Sequence, residues 1–100
     1  MSYKLRFHEL ALKEWNRLNS VLREQFKKKL AERLEVPHIP SAALTGMQDC
    51  YKIKLRAAGY RLVYRVEDDT LYVTVIAIGK REHLKVYAKA HRRLARVSQQ

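Results

Sequence analysis

Residues Tyr51 to Arg56 run Tyr-Lys-Ile-Lys-Leu-Arg, so every second side chain is a cation. Alternate residues of a strand face the same side, which places Lys52, Lys54 and Arg56 opposite Tyr51, Ile53 and Leu55. Tyr60 to Val66 repeats the arrangement, with Leu62, Tyr64 and Val66 on the apolar side and Arg61, Val63 and Arg65 on the other; Lys80 and Arg81 follow at the end of the next strand. A single cation on a strand is ordinary solvated surface. A whole cationic face is not, because like charges on neighbouring strands repel unless an anion neutralises them. Phosphate groups are the obvious anion, and phosphate contacts by themselves make a binding module.

Catalysis needs groups that move protons. His8, His38, His83 and His91 fall in four different elements, so their spacing forms no acid-base pair. His91 reads as a packing or capping residue on the last helix and His83 as a weak candidate near the basic face. RNA nevertheless carries its own nucleophile. Its 2′-hydroxyl must lose a proton, the pentavalent phosphorane must be neutralised, and the departing 5′-oxygen must be protonated or stabilised. Lysine serves as a base where neighbouring cations push its pKa down, and Lys52 and Lys54 are so crowded. Arginine's planar fork suits the phosphorane. Tyr87 adds a hydroxyl and a ring that stacks on a base if its helix borders the basic face; its spacing also fits a core position. With one cysteine, Cys50, there is no intramolecular disulfide and no paired-Cys metal site. Cys50 reads as a small buried hydrophobe beside a turn, and no metal or cofactor is expected.

The elements that position these residues follow from periodicity. Tyr3, Leu5 and Phe7 alternate with Lys4, Arg6 and His8 as a half-buried strand. From Glu9 the period lengthens: Ala11, Trp15, Leu18 and Leu22 mark a helix with Lys13, Glu14 and Arg17 towards water, and Trp15 in the core. Asn19 or Ser20 caps a second helix carrying Leu22, Phe26, Leu30 and Leu34, which Pro37 ends. This helical hairpin lays its apolar stripe on the sheet formed by the second half of the chain. Core positions are odd-numbered in Tyr51 to Arg56 and even-numbered in Tyr60 to Val66. The loop joining these strands therefore holds two or four residues, and Arg61 lies beside Lys54 or Arg56. Leu71 to Ile78 is apolar on both faces, as a central strand is. A last helix, about Glu82 to Arg96, places Leu84, Tyr87, His91 and Leu94 on one face. The expected fold is α+β: a small antiparallel β-sheet packed against an N-terminal helical hairpin, with a C-terminal helix.

The 100 residues suit one domain, and 47% hydrophobic content with only three Gly and two Pro is enough for a core. The formal net charge of +11 calls for a polyanionic partner. That charge is uneven: residues 51–100 hold twelve Lys/Arg against four Asp/Glu, whereas residues 1–50 hold nine against six. The N-terminus lacks the apolar run of a signal peptide, and Leu71 to Ile78 is far shorter than the roughly 20 residues that span a bilayer. A cytoplasmic protein without membrane association is expected.

The runs ALKEW, REQ followed by KKKL, Gly46-Met47, DCYKIKLR, GYRLVY, and GKRE followed by Val86-Tyr87 resemble the RelE family, the ribosome-dependent mRNA interferases of bacterial toxin-antitoxin pairs, over about residues 3 to 94. The resemblance implies a RelE/ParE-like toxin domain spanning 1–100. By the same resemblance Lys54 and Lys52 act as base or base support, Arg61 holds the scissile phosphate, Arg81 stands at the leaving oxygen, and Tyr87 stacks and orients the nucleophile. Arg56, Arg65, Lys80 and His83 would add RNA contacts. Lys27, Lys28 and Lys29, with Lys13 and Arg23, would suit ribosomal RNA. The chain departs from close relatives at Thr45, where a basic residue is frequent, and at His83, where Arg is.

The implied partners are the 70S ribosome with its 16S rRNA and A site, the mRNA, and a RelB-like antitoxin whose complex binds operator DNA. The antitoxin would supply acidic residues for the basic face and an apolar segment that competes with the last helix for the sheet. Two rivals stand beside this reading: a ParE-like gyrase-poisoning toxin, which lacks the nuclease residues, and a non-enzymatic RNA-binding module, for which the basic face suffices.

Overall fold

The computed structural model describes residues 2–80 and 85–98. In chain order come β1 (Lys4–Phe7), α1 (Glu9–Arg17), α2 (Ser20–Glu35), a 3-10 turn at Pro40–Ala42, β2 (Cys50–Leu55), β3 (Tyr60–Glu67), β4 (Tyr72–Lys80) and α3 (Lys85–Ser98). The strands form one sheet in the order β1-β4-β3-β2. β2, β3 and β4 are antiparallel as expected, but β1 runs parallel to β4, from Lys4 opposite Tyr72 to Phe7 opposite Val75. The sheet is therefore mixed. The helical hairpin between β1 and the rest carries the chain across the face of the sheet, so the first strand is not tied to its neighbour by a tight turn.

One face of the sheet carries the hairpin. Ala11, Trp15, Leu18, Leu22, Phe26 and Leu30 bury their apolar stripe on Ile53, Leu55, Leu62, Tyr64, Val66, Val73, Val75 and Ile78. The side chain of Asn19 caps α2 by accepting from the Leu22 amide at 2.9 Å. The Nδ1 of His8 does the same for α1, accepting from the Leu10 amide at 3.1 Å. Between β3 and β4 the register shifts: Val63 opposes Ala77 while Tyr64 opposes Val75, leaving Ile76 as an extra residue. This bulge turns Ile76 and Ala77 towards the second face.

There α3 packs, with Val86 and Ala90 buried against Cys50, Val63, Ile76 and Ala77, and with Tyr87 and Leu94 at the margins. The expected stripe of Leu84, Tyr87, His91 and Leu94 is rotated from the observed contact face. His91 is exposed, and Arg93 is buried instead. Gly79 of β4 lies beneath this helix, where a Cβ would be in ordinary contact with Val86 Cβ at 3.8 Å and Lys89 Nζ at 3.4 Å. The proposed helix start at Glu82, and Leu84, lie outside the described residues. Trp15 is in the core as expected, tilted against Phe7 and Phe26 at centroid distances of 5.2 and 6.4 Å.

Candidate active site

β2 and β3 are joined by residues 56–59, a four-residue loop, so Leu55 opposes Tyr60 and Lys54 opposes Arg61. Gly59 makes this closure possible. Its φ of +70° lies in the left-handed region that favours glycine, and its amide donates to the Leu55 carbonyl at 2.9 Å. Directly opposed residues share a face. Ile53 and Leu55 go under the hairpin, and Lys52, Lys54 and Arg61 therefore emerge on the α3 side.

On that side α3 brings Tyr87 to Arg61. The guanidinium Nη1 donates to the Tyr87 hydroxyl at 2.9 Å, and its Cζ lies 5.4 Å from the ring centroid. Both residues are half-buried. The arginine is thus aimed by a neutral acceptor that leaves its charge uncancelled. A carboxylate in the same place would consume the charge that a phosphate needs. Next to this pair a cavity of about 140 Å³ is lined by Lys54, Leu55, Arg56, Gly59, Tyr60 and Arg61. Lys52, Lys54, Arg61 and Tyr87 consequently form one cationic cluster with an aromatic hydroxyl, at the end of the sheet where the β2–β3 loop and α3 meet.

The remaining candidate residues divide. Arg56 is exposed at the loop and joins the cluster. Arg65 lies on the same face but at the other end, where its Nη2 donates to Glu67 Oε1 at 3.3 Å; Glu67 also accepts from Arg6 at 2.9 Å and Thr74 at 2.6 Å. Its charge is engaged in an ion-pair network away from the cluster. Lys80 corrects the sequence expectation. Gly79, opposite Arg61, faces α3, so the next residue, opposite Tyr60, faces the hairpin side. Lys80 accordingly borders a cavity with Val21, Leu22 and Tyr60. Arg81 and His83 lie outside the described residues.

On the hairpin, Lys13, Lys27, Lys28 and Lys29 are exposed. Lys27 pairs with Glu24 at 3.2 Å. Arg23 is committed to the end of α1, donating to the carbonyls of Leu18 at 2.5 Å and Asn16 at 3.3 Å. Lys28 and Lys29 line a cavity of about 540 Å³ that also contains Lys54 and Arg56, so the hairpin cations approach the cluster around the β2 edge. That approach crosses from one chain segment to another and has no signature in local spacing.

Glu14 was expected to face water. It is half-buried between α1, β4 and α3, where it accepts from the Ile78 amide at 3.0 Å, Lys89 Nζ at 2.5 Å and Arg93 at 2.9 and 3.1 Å. Burial pushes its pKa up, but the bonds from Arg93, Lys89 and Ile78 outweigh this and hold it below the usual carboxylate range. Cys50 is buried, and desolvation raises its thiol to about 11. It is a core side chain, as its surroundings in the sequence indicated.

A cavity of about 720 Å³ lies at the other end of the sheet beside Asp49, Glu67, Asp68 and Asp69. Its carboxylates would repel a polyanion, which the cationic end would attract. Among the described residues, no group of three or more His, Cys, Asp or Glu side chains is placed to hold a metal. No helix among them is long and apolar enough to cross a membrane.

Comparison with known proteins extends the geometry. The family described as the ParE toxin of the type II toxin-antitoxin system parDE matches residues 5–84. The chain is 57% identical over 94 residues to the mRNA interferase toxin RelE of Escherichia coli strain K12, covering 94% of this chain and 99% of that protein. It is equally similar, over the same shares, to the mRNA interferase RelE of Shigella flexneri. Among solved structures, a mutant of E. coli toxin RelE in the free state matches with a TM-score of 0.87 at 56% identity, over 94% of this chain and 99% of that one. A chain of the intact E. coli RelBE toxin-antitoxin complex matches with a TM-score of 0.79 at 58% identity, over 82% of this chain and all of that one.

Proposed function

The chain belongs to the RelE family of type II toxin-antitoxin toxins, within the RelE/ParE superfamily, and from that premise we propose that it is a ribosome-dependent endoribonuclease that cuts mRNA in the ribosomal A site and so inhibits translation. The observation that carries this reading is the Lys54–Arg61 cross-strand pair, with Lys52 beside it and Tyr87 orienting the Arg61 guanidinium.

The reaction is an in-line transfer. The 2′-oxygen loses its proton to the Lys52/Lys54 pair and forms a bond to phosphorus. Arg61 holds the non-bridging oxygens while negative charge builds on the phosphorane. The bond from phosphorus to the 5′-oxygen breaks, with Arg81 stabilising the departing oxygen. Tyr87 stacks on a neighbouring base and fixes Arg61. None of the groups named for proton transfer is an ordinary acid-base catalyst near neutrality. The rate must therefore come from holding the message in line, which is the ribosome's contribution.

The whole chain works as a single toxin domain in the cytoplasm. Arg56 and the exposed Lys13, Lys27, Lys28 and Lys29 supply contacts to ribosomal RNA and message. RelE of E. coli is found in complex with RelB, and a RelB-like antitoxin, acidic where this chain is basic, neutralises the toxin and carries it to operator DNA. The ParE name of the matching family favours a second reading, gyrase poisoning; the Lys52, Lys54, Arg61 and Tyr87 cluster has no part in that activity. Induced expression with primer extension on a translated message separates the readings. Cuts within codons are expected. Replication arrest without cuts would establish the gyrase reading, and neither outcome would leave an RNA-binding module.

A further inference from the structure

β1 ends at Phe7 opposite Val75, and the His8 amide makes the last rung to the Val75 carbonyl at 2.8 Å before the chain turns into α1. Beyond this rung no strand among the described residues lies beside the outer edge of β4, and buried backbone groups without partners are costly. Three side chains take the place of the missing strand. Glu14 of α1 accepts from the Ile78 amide at 3.0 Å, Lys89 of α3 donates to the Ile78 carbonyl at 3.0 Å, and Arg93 of α3 donates to the Ile76 carbonyl at 2.8 Å. Both α3 cations also bond Glu14, so a single carboxylate joins α1 to α3 across the strand edge.

This latch matters because α3 has a slender apolar seat. Among its described side chains the buried apolar ones are Val86 and Ala90, both small, with Tyr87 and Leu94 partly buried beside them. Lys89 passes over Gly79, and Gly79 is the cross-strand partner of Arg61. The same helix, two residues earlier, carries the Tyr87 hydroxyl that orients Arg61. A small rotation or slide of α3 would separate Tyr87 from Arg61 while leaving the hairpin face of the sheet intact. Resting on the proposed nuclease reading, we infer that Glu14 is a positioning residue for the cleavage reaction: it latches α3 to the open edge of β4 and thereby holds Tyr87 on Arg61.

The test uses full-length Glu14→Gln, which keeps an acceptor for the Ile78 amide but gives up the charge. Lys89→Met serves as a second variant: it removes the α3 cation that bonds both Glu14 and the Ile78 carbonyl and leaves the residues of α1 unchanged. Single-turnover cleavage of mRNA on programmed ribosomes should slow by about tenfold or more, since displacement of roughly 1 Å costs up to 100-fold, while the ribosome concentration giving half-maximal rate stays unchanged. In a Tyr87→Phe background, Glu14→Gln should add less than about twofold, because both changes act on one contact. NMR gives the readout that needs no activity: cross-peaks between the Tyr87 ring and Arg61 should weaken and α3 amides exchange faster, with β3 amides still protected. A folded Glu14→Gln that keeps those cross-peaks and cuts at the wild-type rate overturns the proposal, as does a loss fully additive with Tyr87→Phe. Failure of the wild type to cut ribosome-bound mRNA would instead sink the nuclease reading, and the NMR measurement would still decide the latch.

Discussion

Replacing Tyr87 by Phe removes one oxygen, and the structure states what that oxygen does. It accepts the Arg61 Nη1 proton at 2.9 Å, and the ring lies 5.4 Å from the guanidinium carbon. Hydrogen bonds to charged groups contribute about 1.5–3 kcal/mol when buried; both partners here are half-buried, so Tyr87→Phe should cost about 1 kcal/mol of stability. The ring and its weak attraction for the cation remain. Cleavage should suffer more. An Arg61 free to rotate loses its fixed aim at the phosphorane, and about 1.4–2.7 kcal/mol of lost transition-state stabilisation corresponds to a 10- to 100-fold slower step. Tyr87→Ala also removes the ring. Truncating a fully buried aromatic costs about 3–5 kcal/mol; for a half-buried ring about 2 kcal/mol is expected, leaving a folded protein that cuts more slowly still. The assay is urea unfolding of each variant beside single-turnover mRNA cleavage on programmed ribosomes. A Tyr87→Phe protein that cuts at the wild-type rate, together with a Tyr87→Ala protein that is severely destabilised yet cuts normally when kept folded, would return Tyr87 to packing and refute the assignment.

Three further outcomes follow from the structure. Glu14 and Glu67 are each pushed up by burial but held below their ordinary carboxylate pKa by the stronger effect of their hydrogen bonds. Their contribution to stability is therefore complete above the unfolded-state value of about 4.5 and is lost as pH falls through the lower folded-state values; urea midpoints measured from pH 6 to pH 3 should decline, and less so in Glu14→Gln. Cys50, with its thiol raised to about 11 by burial, should resist maleimide in the native protein at neutral pH and react on unfolding; fast native labelling would contradict its core position. Gly59→Val places a branched side chain at a φ of +70° and should cost about 1–2 kcal/mol, with loss of cleavage if the Lys54–Arg61 register slips; an unchanged melting temperature would show that the turn tolerates another geometry.

Local alternation was enough to determine the heart of the candidate site. In Tyr51–Arg56 and Tyr60–Val66 the apolar residues must go under the hairpin, so Lys52, Lys54 and Arg61 had to emerge together, and parity left only loops of two or four residues. The hairpin stripe and the burial of Trp15 were legible for the same reason, that burial of one face imposes its period on the chain, whereas Cys50 was legible from its residue type. What local patterning does not encode is which distant edge a strand joins or which backbone groups are left open there. The parallel pairing of β1 with β4 depends on where the hairpin deposits the chain, and its early end at Phe7 leaves the edge that draws in Glu14, Lys89 and Arg93. A helix period alone assigned Glu14 to water because it ranks side chains by polarity, whereas the folded protein ranks them by what the neighbouring strand lacks. The face of α3 was likewise decided by tertiary packing: Val86 and Ala90 bury against Cys50, Val63, Ile76 and Ala77, with His91 exposed and Tyr87 at the margin, beside Arg61.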